Sequence, residues 1–549
     1  MKFFRNHLYF ICILISGIFL RLQYLFTQSG NLSFPNLGGD PCHHYNTAVN
    51  VSKNFLPQND FIFSYWFRHE SIPALIDLYP PGFYYALGAF LFIFGNEYIF
   101  ARIFNFLIGL INILFAYLIG CRIKSRNTGL ISSIIVTLNI FHIENSTVVM
   151  SVVFAMFMIQ LCFLLFLLTK KNILYWFFLG ISCGYSFLTL GATLVLFICF
   201  IFYIFYKFLY KEYNIKYFFL IHFLFLIGLI IIVLPWGIIT NNYFGTPFYS
   251  NLNFYPFTDS FSTMMHETQP PSFLFYVENN ELKEIIYNYF LWSMNGLYKG
   301  SLYLTPTIFF PFAIFFIPLI LFNSFKSTHE INLFLLILIL LFFISIIGST
   351  AISGILFPRH FVPFLSISSI LLALGIVNFY HYVSKYSFFI RLSAINNFFI
   401  NLVSIKYYFF VLIIIFIAMT SLGLYVKEEF IHKSFWNRNA LPYYEFGNWI
   451  KENTNKESVI MYGLTPQDAW CATNRKIVGD PTFRLSNDPK RALEEVLYYN
   501  VDYLWIDLSN NIYTREENID EIINLYEKLN LELIKFDAKN QYFFYKINK

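Results

Sequence analysis

Two short polar segments among long apolar runs hold the side chains best able to do chemistry. Gly38-Gly39-Asp40-Pro41-Cys42-His43-His44-Tyr45 follows the first apolar run, and Tyr79-Pro80-Pro81-Gly82 comes before the next. Asp40 is the strongest candidate. An aspartate costs about 2.5–3.5 kcal/mol at a bilayer centre, so it is expected at an interface, in a cleft lined by protein. Gly38 and Gly39 permit tight backbone geometry before it, and Pro41 restricts it toward the extended region, so the carboxylate is aimed. The plainer alternative is a helix-capping aspartate with Pro41 at the first helical position. A carboxylate aimed over the membrane surface has the chemistry of a general base for a lipid-borne substrate.

The second candidate is Arg359, followed by His360, in Gly354-Ile355-Leu356-Phe357-Pro358-Arg359-His360-Phe361-Val362-Pro363. A guanidinium among apolar neighbours must face a polar cavity, pair with an anion or snorkel, and it binds phosphate bidentately. Arg21, inside the first apolar run, permits the same readings, and there the structural one is favoured. Glu144 in Phe141-His142-Ile143-Glu144-Asn145 and Glu267 in Met265-His266-Glu267-Thr268-Gln269-Pro270-Pro271 are candidate second acids. With Asp40 and His43 or His44 they could ligate a divalent metal. The spacing matches no metal motif, however, and solvated loop acids are the simpler reading, so no cofactor is required. Tyr45 and Tyr79 complete the list of candidate substrate contacts.

Other patterns fail on context. Gly180-Ile181-Ser182-Cys183-Gly184 fits the hydrolase Gly-x-Ser-x-Gly pattern but lies inside an apolar run, where no strand-to-helix elbow can form. There is no Walker A sequence and no dinucleotide Gly-x-Gly-x-x-Gly.

These residues must be positioned by membrane helices. The chain is 57% hydrophobic and only 13% charged, against roughly 25% charged in soluble domains. Apolar runs of about 20 residues, enough for ~30 Å of hydrocarbon, lie near 8–27, 98–120, 128–148, 150–169, 173–190, 191–209, 217–240, 301–323, 331–350, 354–378 and 407–426. That predicts about eleven spans. The first run keeps Arg21 and lacks a small-residue cleavage site, so it reads as an uncleaved anchor. Lys and Arg in the short loops (Lys2, Arg5, Arg122, Lys124, Arg126, Lys170, Lys171, Lys207, Lys211, Lys216, Lys326, Lys385, Arg391, Lys406) all fall on one side when the N-terminus is cytoplasmic. Segments 28–97 and 241–300 and the tail then face outward, provided the short apolar stretch 83–95 is interfacial or re-entrant. The net charge of +5 reflects this bias and gives no case for nucleic-acid binding. Five of the seven cysteines lie in or beside spans, which excludes a disulfide framework; Cys42 and Cys471 face outward and could pair, though nothing requires it.

After Val426 the long apolar runs stop and Asp, Glu, Lys and Asn become frequent. Helical spacing over 443–452, 489–499 and 519–529, with strands at 458–462, 503–508, 531–536 and 542–547, predicts a small α/β domain. The expected fold class is mainly α: a polytopic membrane helical bundle over 1–427, and a C-terminal α/β soluble domain over 428–549.

Four places resemble the C-type membrane glycosyltransferases (GT-C), in particular the group similar to protein O-mannosyltransferases and the lipid A aminoarabinose transferase. They are Gly17 to Arg21 with Asp40-Pro41 and Tyr45; Tyr79-Pro80-Pro81-Gly82-Phe83-Tyr84-Tyr85; Leu234-Pro235-Trp236 through Asn242-Tyr243-Phe244-Gly245-Thr246-Pro247; and Pro358-Arg359-His360-Phe361-Val362-Pro363. Trp449-Ile450-Lys451-Glu452-Asn453 and Val501-Asp502-Tyr503 look like that group's outer domain. The resemblance implies sugar transfer from a polyprenyl-phosphate carrier on the non-cytoplasmic face, with Asp40 matching the catalytic aspartate of the first loop.

A phosphate leaving group needs no proton, so one base for the acceptor hydroxyl and one cation for the departing phosphate suffice. Members often carry an acid near where Val152 stands here, whereas Glu144 falls several residues earlier. Asp40-Pro41 and Glu267-Thr268-Gln269-Pro270 also look like oligosaccharyltransferase subunits, though their Trp-Trp-Asp-Tyr-Gly motif is absent. En bloc glycan transfer is therefore the runner-up, and a lipid-linked-sugar flippase is the rival from another class. The implied partners are a polyprenyl-phosphate-linked sugar, an acceptor hydroxyl on protein, lipid or glycan, and the lipid bilayer; nucleic acid is not among them.

Overall fold

The computed structural model describes residues 2–27, 40–63, 67–251, 283, 362–385, 441–463, 465–479, 489–507 and 530–548. Gly38, Gly39, Glu267, Arg359, His360 and the spans expected over 301–350 and 407–426 lie outside the described residues.

In chain order the membrane-associated helices are α1 (Lys2–Thr27), α2 (Asp40–Asn54), α3 (Gly82–Phe94), α4 (Tyr98–Ile123), α5 (Arg126–Leu138), α6 (Ile140–Asn145), α7 (Ser151–Leu168), α8 (Leu174–Phe187), α9 (Leu194–Leu209), α10 (Ile215–Phe244) and α11 (Leu365–Lys385). The tail adds α12 (Leu441–Asn453), α13 (Pro466–Thr473) and α14 (Pro489–Tyr498). Strands β1 (Gln58–Asn59), β2 (Phe61–Ile62) and β3 (Ala74–Leu75) come from the first loop; β4 (Val459–Tyr462), β5 (Lys476–Gly479), β6 (Tyr503–Asp507), β7 (Leu531–Asp537) and β8 (Tyr542–Ile547) come from the tail.

Among the described residues, five helical segments are long and apolar enough to cross a membrane: Leu8–Phe26, Tyr98–Ile123, Ser151–Leu168, Gly191–Leu209 and Ile215–Phe244. This is a multi-pass membrane protein. The span expected over 128–148 is instead two helices, α5 and α6, parted at Asn139. That residue leaves helical backbone (φ −74°, ψ 115°), and its side chain accepts from the His142 N–H at 3.0 Å. The 13 residues of α5 rise about 20 Å, short of ~30 Å of hydrocarbon. The run at 173–190 is similarly a 14-residue helix, α8. With 13 residues, α3 is also too short to cross.

The break between α6 and α7 accounts for the polar side chains of α4. Carbonyls freed by the turn at 146–150 need donors, because lipid supplies none. Arg102 Nε donates to Thr147 O (2.8 Å) and Asn105 Nδ2 to Val148 O and Met150 O (2.5 and 2.9 Å), while Asn112 Nδ2 reaches Val153 O (3.0 Å) in the first turn of α7. Arg21 joins this seam. It is fully buried, and donates to Gly17 O at 3.0 Å and to His142 Nδ1 at 2.5 Å, the contacts of a structural residue.

Small residues set the approach of α8 and α10. A Cβ on Gly180 would collide with the carbonyl of Phe225, and one on Gly228 with that of Phe177. The Gly-x-Ser-x-Gly pattern is thus a small-xxx-small packing stripe. α10 ends at Gly245 in the left-handed region (φ 76°), whose N–H donates to Asn241 O.

The tail strands form a six-stranded sheet in the order β2-β5-β4-β6-β8-β7. β2, β5, β4 and β6 are parallel, β8 runs antiparallel to β6, and β7 pairs antiparallel with β8. β2 comes from the first loop, more than the tail's own residues predict: Phe61 pairs with Ile477 and Ile62 with Val478. A core of Tyr443, Phe446, Tyr462, Trp470, Trp505 and Phe544 closes over Phe61 and Phe63 from that loop.

Candidate active site

Asp40 is the first residue of α2, and α2 is held from three directions. Its polar face grips the loop that follows: Thr47 Oγ1 donates to Asn59 Oδ1 (2.5 Å), Asn46 Nδ2 to Asp60 Oδ2 (2.9 Å) and Asn50 Nδ2 to Gln58 O (2.9 Å). On the face toward α3, Gly88 leaves room for Val51, whose Cγ1 would lie 2.6 Å from any added Cβ. Toward the tail, Cys42 is disulfide-bonded to Cys471 of α13, with Cα atoms 6.0 Å apart.

The half-buried carboxylate of Asp40 meets Tyr79, whose hydroxyl donates to Oδ1 at 3.1 Å. Tyr79 is placed by the Pro-Pro-Gly turn. The Gly82 N–H donates to Leu188 O (2.6 Å) at the end of α8, and Tyr185 donates to Gly82 O (2.8 Å). A Cβ at Gly82 would lie 2.8 Å from Leu188 O, so the turn docks only with glycine there.

Around this pair lie groups not singled out from sequence. Asp77, 4% exposed, accepts from His69 Nε2 at 3.1 Å and from Asn251 Nδ2 at 2.9 Å, both on Oδ2. Asn251 reaches it because α10 ends in the Gly245 cap and the chain turns back. The only sequence signal for Asp77 is its place two residues before Tyr79; its partners are remote or lack a pattern.

His43 is buried beside both carboxylates and among the rings of Phe61 and Tyr79, each with its centroid 5.3 Å away. Burial, with His44 adding to it, holds its pKa down to about 3 against the pull of Asp40 and Asp77. At neutral pH it is an uncharged wall of the site. His44 Nδ1 pairs with the Tyr84 hydroxyl at 3.2 Å.

The structure brings Asp40, His43, His44 and Tyr79 together. Tyr45 turns elsewhere: its hydroxyl donates to Asn96 O beyond the end of α3, and its ring lies between Tyr98 and Trp470. Glu144 is on α6, where its charge acts on Tyr24 of α1. Among the described residues no three His, Cys, Asp or Glu side chains form a group able to hold a metal ion.

Residues 79–237 match the family model for dolichyl-phosphate-mannose-protein mannosyltransferases. The fold is similar to that of the Archaeoglobus fulgidus oligosaccharyltransferase tethered to an acceptor peptide, at TM-score 0.57 and 14% identity, covering 100% of this chain and 75% of that one. It is also similar to ArnT from Cupriavidus metallidurans, at TM-score 0.55 and 12% identity over 97% of both chains. The likeness is one of fold across the chain, and of family over residues 79–237 alone. No curated protein matches it in sequence. The family-model match begins at Tyr79, the residue that holds Asp40, and ends within α10.

Proposed function

We propose that this chain transfers a sugar from a polyprenyl-phosphate carrier to an acceptor hydroxyl on the extracytoplasmic face, inverting the anomeric centre. The observation that carries the reading is Asp40 at the start of α2, with its carboxylate oriented by the Tyr79 hydroxyl at 3.1 Å. In this mechanism Asp40 takes the proton of the acceptor hydroxyl as its oxygen bonds to the anomeric carbon, and the bond to the carrier phosphate breaks with its electrons. Arg359, with His360, is assigned to the departing phosphate, whose charge a guanidinium meets bidentately. Similar folds with carriers support the donor class: an Archaeoglobus fulgidus oligosaccharyltransferase structure contains dolichol-phosphate, and an ArnT structure contains undecaprenyl phosphate.

The N-terminus is assigned to the cytoplasm, and residues 428–549 to an extracytoplasmic unit that shapes the acceptor site. The acceptor class is a hydroxyl on protein, lipid or glycan. Glu144 and Glu267 are assigned secondary roles, and no metal is assigned; chelation is expected to leave transfer unchanged.

The test uses the purified chain in proteoliposomes with radiolabelled polyprenyl-phosphate sugars and peptide, lipid and glycan acceptors, comparing wild type with Asp40→Asn. Transfer with inverted anomeric configuration, reduced about 10²- to 10⁴-fold in the variant, is the expected result. Product undiminished in Asp40→Asn removes the base from the mechanism. A second reading, en bloc transfer to a peptide, draws on the oligosaccharyltransferase likeness that covers the whole chain. Label moving only from lipid-linked oligosaccharide would favour it. Carrier crossing the bilayer without transfer would favour a flippase.

A further inference from the structure

Tyr79 can hold Asp40 only if its own backbone is fixed on both sides, and the two anchors differ. The C-terminal anchor is Gly82, tied to the end of α8 by the bonds to Leu188 and Tyr185. The N-terminal anchor is a carboxylate. Asp77 Oδ2 receives His69 Nε2 and Asn251 Nδ2, and the Asp77 carbonyl receives the Asn251 N–H at 2.7 Å. The next carbonyl, of Leu78, receives the Ser250 hydroxyl at 2.6 Å. Two consecutive peptide units before Tyr79 are thereby bound to residues 250 and 251.

His69 is fixed in turn. Its carbonyl accepts from the Tyr499 hydroxyl at 2.8 Å, and the neighbouring Arg68 pairs with Glu495 at 3.1 Å, both on or next to α14. A carboxyl group 4% exposed is kept in a fold only where donors satisfy it. Here one donor lies 8 residues before Asp77 and the other 174 residues after it, and they converge two residues before the phenol that orients the candidate base.

We propose that Asp77, gripped by His69 and Asn251, is a positioning residue that sets the Tyr79 hydroxyl on Asp40. Its function is that of an acceptor: both donors reach one oxygen, so an amide oxygen in the same place keeps both bonds. The role gains its catalytic meaning from the reading of Asp40 as the base, but it is testable without any sugar donor.

The probe is the reaction of Asp40 with a water-soluble carbodiimide and glycinamide, followed by peptide mass spectrometry on the folded, detergent-solubilised full chain. Asp40 is half-buried and open to the reagent, whereas Asp77 is enclosed. Tyr79→Phe removes the hydroxyl that occupies Oδ1 and is expected to raise the labelling rate about tenfold, the equivalent of one charge-assisted hydrogen bond. Asp77→Ala is expected to raise it to the same degree, Asp77→Asn to leave it near wild type, and Asp77→Ala with Tyr79→Phe to go no further than Tyr79→Phe alone. A general loss of stability would lower the unfolding temperature without producing this pattern.

If Asp77→Ala does not fold, Asn251→Ala removes one of the two donors while keeping the backbone N–H, and is expected to raise labelling partway. Wild-type labelling in the folded alanine variants, or additive effects in the double variant, would overturn the positioning role. Absence of sugar transfer in wild type overturns the donor reading instead, so the two failures are distinguishable.

Discussion

Cys42, two residues past the candidate base, is bonded to Cys471, 429 positions further along the chain. Three other ties run beside it. β2 of the first loop pairs with β5, the Tyr45 and Trp470 rings lie 6.1 Å apart, and Arg68 pairs with Glu495. Residues 42–68, which include most of the helix that begins with Asp40, are therefore cross-linked to the tail by a covalent bond, a strand pair, an aromatic contact and an ion pair.

The disulfide is directly checkable. Non-reducing peptide mapping is expected to recover residues 42 and 471 in one linked species. Cys471→Ser should cost about 2–4 kcal/mol of stability, and reductant should lower the unfolding midpoint of wild type while leaving that of the variant in place. Separate peptides from oxidised, folded protein would show that the bond does not form.

Tyr79→Phe isolates one hydrogen bond. A bond to a charged acceptor contributes about 1.5–3 kcal/mol, so sugar transfer should fall by about one to two orders of magnitude. The unfolding temperature should stay close to that of wild type, since Tyr79 is only half-buried. Transfer at the wild-type rate would remove the phenol from the mechanism.

The buried imidazole of His43 predicts acid sensitivity. Its ordinary pKa of 6.5 falls to about 3 in the folded chain, chiefly through burial, so the unfolded chain binds the proton first as pH drops. This contribution to stability is complete above about pH 6.5 and is lost progressively toward pH 3. His43→Phe, which cannot titrate, should flatten the fall of unfolding temperature measured between those pH values. An unchanged slope in the variant would mean that other groups carry the acid response.

Gly180 and Ser182 separate packing from chemistry. Gly180→Val drives a side chain into the Phe225 carbonyl and should destabilise by at least about 1–3 kcal/mol, read as loss of monodisperse protein in detergent. Ser182→Ala should leave sugar transfer intact. If Ser182→Ala abolished transfer with the fold preserved, the hydrolase-like pattern would need a chemical role after all.

The parts of the site legible in sequence were those with a strong local signal. Asp40-Pro41 and Tyr79-Pro80-Pro81-Gly82 stand out because polar and turn residues interrupt long apolar runs, and the apolar runs themselves announce the membrane helices. In the tail, β4, β6, β7 and β8 lie within a residue or so of the stretches where apolar residues alternate. Helix α13 and strand β5 were not legible. They are short, at 8 and 4 residues, and each is buried mainly through contacts made elsewhere. β2 is only two residues long and acquires its identity from a partner in the tail. Asp77 was missed because its donors come from separate segments, and no periodicity encodes a meeting of that kind. The run at 128–148 reads as one span because apolar content does not register Asn139, whose side chain supplies its own cap to α6.

The edge strand β2 also dictates a timetable. A ribosome adding about 5–20 residues per second needs on the order of 20–90 s to cover the 429 positions between Cys42 and Cys471. For that interval the nascent first loop has neither its sheet neighbour nor its covalent tether. A chain stopped by a premature termination codon before residue 471 lacks both Cys471 and β5, and so leaves Cys42 and β2 without their partners for good.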